Sequence, residues 1–117
     1  MLSLKEDRKV FVSQDPTDMR KSIDGLCALV MDVLHESPQC GHVFVFCNRN
    51  RNKMKCLLWD TNGFFLCYKR LEKGHFKFER NAQGVLEISH DQFSWLLAGL
   101  DFTVMNQFSH LNYANYY

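Results

Sequence analysis

The chain has 117 residues, 46% of them hydrophobic and 14% aromatic, and its formal net charge is +1. This length predicts a single domain with its own core, and the hydrophobic content excludes an intrinsically disordered protein. No apolar run approaches the roughly 20 residues of a membrane span, and the start of the chain lacks the apolar centre of a signal peptide. We therefore expect a cytoplasmic protein with no membrane partner.

The charge is distributed unevenly along the chain. Residues 42–80 hold nine Lys/Arg against three Asp/Glu, a net charge of +6. Residues 1–41 are at −2, and residues 81–117, which hold no Lys or Arg, are at −3. A protein that segregates positive charge in this way is a candidate for binding a polyanion through its middle third.

The five cysteines do not form a disulfide or zinc pattern. They are Cys27, Cys40, Cys47, Cys56 and Cys67, an odd number with no CxxC pair. In a reducing compartment we expect them to be buried thiols. Cys40 and His42 are close enough to serve as two zinc ligands, but structural zinc sites usually have a second ligand pair, and none is visible. We expect no metal and no cofactor.

The amino-terminal part of the sequence predicts a strand followed by a helix start. Residues 9–13 alternate as a short strand does. Asp15 has the residue type of an N-cap, Pro16 suits the first helical position, and Asp18 complements the helix dipole. The helix is therefore predicted to begin at Pro16.

The predicted first helix continues to the end of an apolar stripe. Apolar residues recur at steps of three and four over residues 19–34, which predicts an amphipathic helix of about five turns. Gly25 lies inside it at a cost of roughly 1 kcal/mol against alanine, and we interpret this glycine as a site of close approach between helix and sheet.

The middle of the chain reads as three antiparallel strands. HVFVFCN is a strand rich in Val and Phe, KMKCLLWD is a second strand, and FFLCYKRL is a third. Asn62-Gly63 between the last two predicts a hairpin, and the polar NRNRN connection between the first two predicts an exposed loop. The second strand has apolar residues on both faces, so either a second helix or another chain must cover one of them.

The carboxyl-terminal third predicts a strand and a second helix. Phe76 and Phe78 alternate with polar residues as in a short edge strand, and VLEI reads as another strand. Ser89 and Gln92 form a capping-box pattern at the start of a helix. The fold class is therefore α+β, with a mostly antiparallel sheet of four or five strands and two main helices. We expect one domain over residues 1–101 and an irregular or partner-docked tail over residues 102–117.

The loop and the adjoining strands concentrate cations that are candidates for contacting phosphate. Side chains projecting from a hairpin edge would form an electropositive rim that gains from counterion release. Tyr68, beside Lys69 and Arg70, is the aromatic residue best placed for an exposed contact with a base, whereas the other aromatics of these strands are expected in the core. The predicted nucleic-acid-binding residues are Arg49, Arg51, Lys53, Lys55, Tyr68, Lys69, Arg70 and Lys73. The alternative interpretation is a solubilising loop tip.

The sequence contains little that indicates catalysis. Serines lack a nucleophile-elbow context, and no glycine-rich phosphate loop is present. A metal-dependent nuclease assembled from distant carboxylates such as Asp60 and Glu72 is an open alternative, because catalytic groups meet in space rather than in sequence. Otherwise we expect Asp60 to open a turn and Glu72 to pair with a neighbouring lysine.

Several blocks in one order resemble a known family. MRKSIDGLCALV, HVFVFCNRNRNKMKCLLWDTNGFFLCYKRLEKGHF and QFSWLLAGLD are similar to the small accessory protein, often called TnpB, of insertion sequence 66-type bacterial transposable elements. The resemblance covers about residues 15–101. It implies a bacterial cytoplasmic protein, encoded beside a larger transposase and needed for DNA transposition, and it supplies no catalytic residues. This sequence differs from that pattern in Asn50, in Asn52 and in a tail without Lys or Arg.

The residues and the resemblance together lead to two hypotheses. The first is a non-enzymatic factor that binds DNA at the element ends through the cations of the hairpin edge. The second is a protein-interaction module that docks on the transposase or forms a homodimer without contacting DNA.

Overall fold

The computed structural model describes residues 7–101, which form one five-stranded sheet and two helices. The elements are β1 (Val10–Ser13), α1 (Ile23–Asp32), β2 (Val43–Cys47), β3 (Lys53–Asp60), β4 (Gly63–Arg70), β5 (Val85–Ile88) and α2 (His90–Leu97). The strand order is β4-β3-β2-β1-β5. β1 and β2 are parallel and are joined through α1, and every other pair is antiparallel. The predicted α+β class and mostly antiparallel sheet are confirmed, although the parallel pair was not predicted.

The two helices lie on opposite faces of the sheet. Alternation along β2 and β3 sends successive side chains to opposite faces. One core combines the strand residues Val45, Met54 and Leu58 with Phe93 and Leu96 of α2. The other core combines Phe44, Phe46 and Leu57 with Leu26, Val30 and Leu34, which belong to α1 or directly follow it. A second helix is therefore what covers the second apolar face of β3.

The predicted start of the first helix is wrong. α1 begins at Ile23 with Ser22 as its N-cap, not at Pro16. The preceding segment pairs with β2 instead, since the Thr17 N–H donates to the Cys47 carbonyl at 2.8 Å and Thr17 is buried. Residues 15–18 thus continue from β1 alongside the end of β2, and this tertiary pairing overrides the local capping signals.

Gly25 does not mark contact with the sheet. A Cβ at this position would lie 3.2 Å from the Cβ of Lys21, one turn earlier in the chain. The glycine therefore makes room for the stem of Lys21, and the interpretation as a helix-to-sheet approach is wrong.

The β3–β4 hairpin is confirmed, with a different turn. Asp60 pairs with Gly63, so the two turn residues are Thr61 and Asn62. The positive φ of 54° falls on Thr61 rather than on the Asn-Gly pair.

The aromatic residues at 76 and 78 do not form a strand. Residues 75–81 have no regular secondary structure, yet Phe76 and Phe78 are buried under the α2 face of the sheet. The two phenylalanines alternate with polar residues because their side chains anchor an irregular segment to the core. β5 and α2 match the prediction, and Ser89 and Gln92 form both bonds of the capping box. The expected tail over residues 102–117 lies outside the described residues.

Candidate nucleic-acid interface

The loop between β2 and β3 is held by its own asparagines. The Asn48 Oδ1 accepts hydrogen bonds from the backbone N–H groups of Asn52 and Lys53, both at 3.0 Å. The Asn48 Nδ2 donates to the Asn52 Oδ1 at 2.7 Å. These amides therefore shape the loop, and the side chain of Arg49 is left exposed at its tip.

Backbone carbonyl groups of the same loop are held by residues 71–76. The Leu71 N–H donates to the Asn52 carbonyl at 2.8 Å, and the Phe76 N–H donates to the Arg51 carbonyl at 2.6 Å. The His75 Nδ1 lies 2.6 Å from the Asn50 carbonyl oxygen. The loop is thus fastened to the chain that follows β4, and the cations on both segments are brought to one end of the sheet.

A groove lies beside α1 on the outer part of the sheet. It has a volume of about 630 Å³ and is lined by Asp18, Met19, Arg20, Lys53, Lys55, Leu66 and Tyr68. Register pairs Lys55 with Tyr68 across β3 and β4, so these side chains share the α1 face. The Lys55 Nζ donates to the Lys21 carbonyl at 2.7 Å and lies 5.9 Å from the centre of the Tyr68 ring. Tyr68 is 54% exposed.

The single carboxylate of the groove is already paired. Asp18 accepts from Arg20 through both oxygens, with the Nη2 at 2.7 Å. Hydrogen bonding from Arg20 lowers the pKa of Asp18 to about 2. At neutral pH Asp18 and Arg20 therefore cancel, and the groove keeps the two positive charges of Lys53 and Lys55.

The other predicted cations are dispersed. Lys69 points to the opposite face, where its Nζ donates to the carbonyl of Leu97, the last residue of α2. Such a lysine satisfies an orphan carbonyl at the negative end of the helix dipole. Arg70 shares the groove face but pairs with Glu72 at 2.8 Å, and this hydrogen bond raises the pKa of Arg70. Lys73 is exposed in the segment after β4.

Arg51 is folded inward. Its guanidinium lies 4.0 Å from the centre of the Phe78 ring, and its Nη2 is buried without a hydrogen-bond partner among the described residues. Burial, and secondarily the charge of Arg80, lowers the pKa of Arg51. Arg51 lines a crevice with Arg49, Arg80 and Asp15. Arg80 is not among the predicted residues, although it belongs to the same positive third of the chain.

The eight predicted residues therefore do not share one face. Lys53, Lys55 and Tyr68 meet in the groove, Arg49 and Arg51 meet in the crevice, and Arg70, Lys73 and Lys69 lie outside both. Phe65, which sequence analysis assigned to the core with the other aromatics, is 46% exposed on the α2 face of β4. Its exposure follows from the position of β4 at the edge of the sheet, which the sequence does not reveal.

The nuclease and zinc alternatives receive no support from the geometry. Asp60 pairs with Arg8 at 3.1 Å, and Glu72 pairs with Arg70 rather than with a lysine. Asp60 and Glu72 lie at opposite ends of an eight-residue strand pair, roughly 25 Å apart at the usual rise per residue. Within residues 7–101, no three His, Cys, Asp or Glu side chains are grouped as metal ligands would be.

The cysteines are divided between core and surface. Cys47 and Cys56 are buried, Cys27 is half-buried, and Cys40 and Cys67 are exposed. Burial raises the pKa of Cys47 to about 12 and also raises the pKa of Cys56. The prediction of buried thiols is therefore confirmed for two of the five.

The fold and the site define a small three-layer α+β domain with a cation-lined groove at one end of its sheet. Neither helix in residues 7–101 has the length and apolar character needed to cross a membrane. The chain belongs to the IS66 Orf2-like protein family, whose model matches residues 8–107. This family is associated with transposition, so the resemblance read from the sequence blocks is confirmed.

Two relatives come from Sinorhizobium fredii (strain NBRC 101917 / NGR234). The uncharacterized protein y4jC is 38% identical over 103 residues, which cover 88% of each chain. The uncharacterized protein y4hO is 35% identical over 101 residues, covering 86% of this chain and 88% of the relative. No solved structure matches the chain.

Proposed function

We propose that this protein is a non-enzymatic accessory factor of DNA transposition that binds DNA at the ends of its element through the groove beside α1. The observation that carries the proposal is that Lys53, Lys55 and the exposed ring of Tyr68 line one open groove. Lysines there would contact phosphates, and the ring offers a stacking surface for an unpaired base. Arg49, Arg70 and Lys73 would add charge around the groove.

The lysine contribution is tested by a matched pair of substitutions. Lys53 has no side-chain hydrogen bond or ion pair within residues 7–101, so Lys53→Gln should leave the fold intact. The slope of log affinity against log salt for an element-end duplex should fall by about one in Lys53→Gln. Lys9 is the matched control, because it is an exposed lysine that directly precedes β1 and does not line the groove. Lys9→Gln should leave the slope unchanged. Equal slopes in both variants and the wild type would refute the groove as the DNA site.

Tyr68 distinguishes single-stranded from duplex DNA. Stacking is worth about 1–3 kcal/mol per base, so Tyr68→Leu should weaken binding of a single-stranded oligonucleotide at least fivefold. Binding of duplex DNA by the same variant should change little. If neither affinity changes, Tyr68 does not contact bases.

A second candidate function is docking on the transposase encoded beside this protein. β4 forms one edge of the sheet, is eight residues long, and exposes Phe65 and Tyr68. A long edge strand with exposed aromatics is a template for strand addition by another chain. Phe65→Lys should abolish capture of the purified transposase or self-association measured by light scattering. A monomeric wild type that captures no transposase would exclude this function.

A further inference from the structure

The arginine crevice lies at the carboxyl ends of the parallel strands. β1 and β2 are the parallel pair, and the residues that follow each of them form two of its walls. Phe78 and Arg80 complete the lining. The buried side chain of Gln14 holds this third wall in place, because its Nε2 donates to the Glu79 carbonyl and its Oε1 accepts from the Asn81 N–H, both at 3.0 Å. In open sheets, the carboxyl ends of parallel strands are where ligands usually bind.

The lining is positively charged and lacks internal pairing. Arg49, Arg51 and Arg80 contribute three charges against the single carboxylate of Asp15. Among the described residues, neither Arg49 nor Asp15 forms a salt bridge. Burial lowers the pKa of Arg51, and repulsion between Arg51 and Arg80 lowers it further.

A buried donor lines this crevice without an acceptor from residues 7–101. Within that part of the chain the Nη2 of Arg51 has no hydrogen-bond partner, and an unsatisfied buried donor costs roughly 1–3 kcal/mol. The crevice is small, with a volume of about 10 Å³, which is room for a single oxygen atom. A water molecule would satisfy the donor but leave the repulsion between the arginines, whereas an anionic oxygen relieves both.

We propose that this crevice is a phosphate-binding pocket, in which one oxygen of a phosphate at the mouth reaches Arg51 while Arg49 and Arg80 contact the remaining oxygens. Arginine guanidinium groups match phosphate oxygens in geometry and charge. Asp15 opposes the anion and limits its affinity. The assignment of this phosphate to a nucleic acid, as a backbone diester or as a terminal monoester, rests on the proposed function.

The pocket is tested first with inorganic phosphate and the whole chain. Titration followed by NMR should give saturable shifts of the Arg51 side-chain Nε–H and of the Asn48 amide. Arg80→Gln, a change at an exposed residue, should weaken binding about tenfold or more, the loss expected for one charge-assisted contact. Asp15→Asn should tighten it, and Lys77→Gln, an exposed cation outside the crevice lining, should leave it unchanged. Absence of saturable shifts, or equal affinity in Arg80→Gln and Lys77→Gln, would overturn the proposal.

The source of the phosphate is then separated with two oligonucleotides. A 5′-phosphorylated strand that binds more tightly than its unphosphorylated copy, with the difference lost in Arg80→Gln, identifies a terminal monoester. Equal wild-type affinities that both fall in Arg80→Gln identify the backbone.

If Lys53→Gln lowers the salt slope while Arg80→Gln binds both strands as the wild type does, the crevice proposal fails and the groove stands. If inorganic phosphate binds but neither oligonucleotide does, the DNA-binding function fails and the pocket stands.

Discussion

Arg8 and Arg51 occupy opposite ends of the sheet and have opposite surroundings. The Arg8 side chain is 14% exposed, with its Nη2 at 3.1 Å from an oxygen of Asp60 and its Nη1 at 3.3 Å from the Trp59 carbonyl. Arg51 is also partly buried, but it lies against the ring of Phe78 and near a second arginine, and no group in the described part of the chain accepts from its Nη2.

This contrast separates a structural arginine from a candidate binding arginine. Arg8 donates two hydrogen bonds within the protein and links the chain before β1 to the β3–β4 hairpin, 52 residues away. Burying the guanidinium of Arg51 without an acceptor costs free energy that the fold recovers only in part from stacking. The guanidinium of Arg51 is fixed in place but not neutralised, which points to an anionic partner outside the chain.

The largest effect on stability is expected when the Phe78 ring that stacks on Arg51 is removed. Phe78→Ala should lower the free energy of unfolding by about 3 kcal/mol, as for other Phe-to-Ala changes in cores, and should release Arg51 from its inward position. Phe93→Ala is the matched control, because Phe93 is equally buried, at 8% exposure, but belongs to α2 and does not line the crevice.

Chemical denaturation and phosphate titration of both variants provide the measurement. We expect similar losses of stability, with loss of phosphate binding in Phe78→Ala alone. If Phe93→Ala impairs phosphate binding equally, the stack is not what positions Arg51.

A smaller and opposite pair of effects is expected for the two arginines. Arg8→Met removes hydrogen bonds to Asp60 and to a carbonyl, and should lower the free energy of unfolding by about 1 kcal/mol, since Asp60 is partly exposed. Arg51→Met keeps apolar contact with Phe78 and removes an unsatisfied donor, so the free energy of unfolding should stay the same or rise. Urea denaturation measures both effects. Equal destabilisation by the two substitutions would contradict the distinction between a structural Arg8 and a binding Arg51.

The smallest effect concerns Cys47 beside the crevice. Its pKa is raised from 9.0 to about 12 by burial, so the unfolded chain loses this proton before the folded chain does. The corresponding stability is complete below pH 9 and is lost as the pH rises towards 12, about 1 kcal/mol by pH 10. Between pH 8 and pH 10, Cys47→Ala should therefore lose less stability than the wild type. Identical curves for Cys47→Ala and the wild type would contradict the burial of Cys47.

Much of the fold was predictable from local patterns. β3 and β4 were placed within a residue or two by their apolar and aromatic residues on either side of a turn signal, and the start of α2 was placed by Ser89 and Gln92, because these signals act over a few residues. The first helix was predicted too long because Thr17 donates to Cys47, some 30 residues away, in preference to a helical bond. Phe76 and Phe78 resembled a strand because burial of alternate residues occurs in an anchored irregular segment as well as in a sheet.

The candidate site was predictable in its residue types more than in its geometry. The positive middle third indicated where the cations lie in the sequence, and Tyr68 was selected by its neighbours. The separation of Lys69 from Lys53 and Lys55 depends on the register of β4 against β3, and Arg80 joins Arg51 only because Gln14 holds the segment after Phe78. No local pattern contains those distances.

The sequence by itself determined the class of fold, the segregation of charge and the family, because periodicity, composition and ordered blocks of residues are properties of the chain. The tertiary structure decided which cations are neutralised, which are tied to a helix end and which surround a groove or a crevice. The reason is that the electrostatic character of an arginine or lysine depends on its neighbours within a few ångströms, and for Arg8, Arg51 and Lys69 those neighbours come from distant parts of the chain.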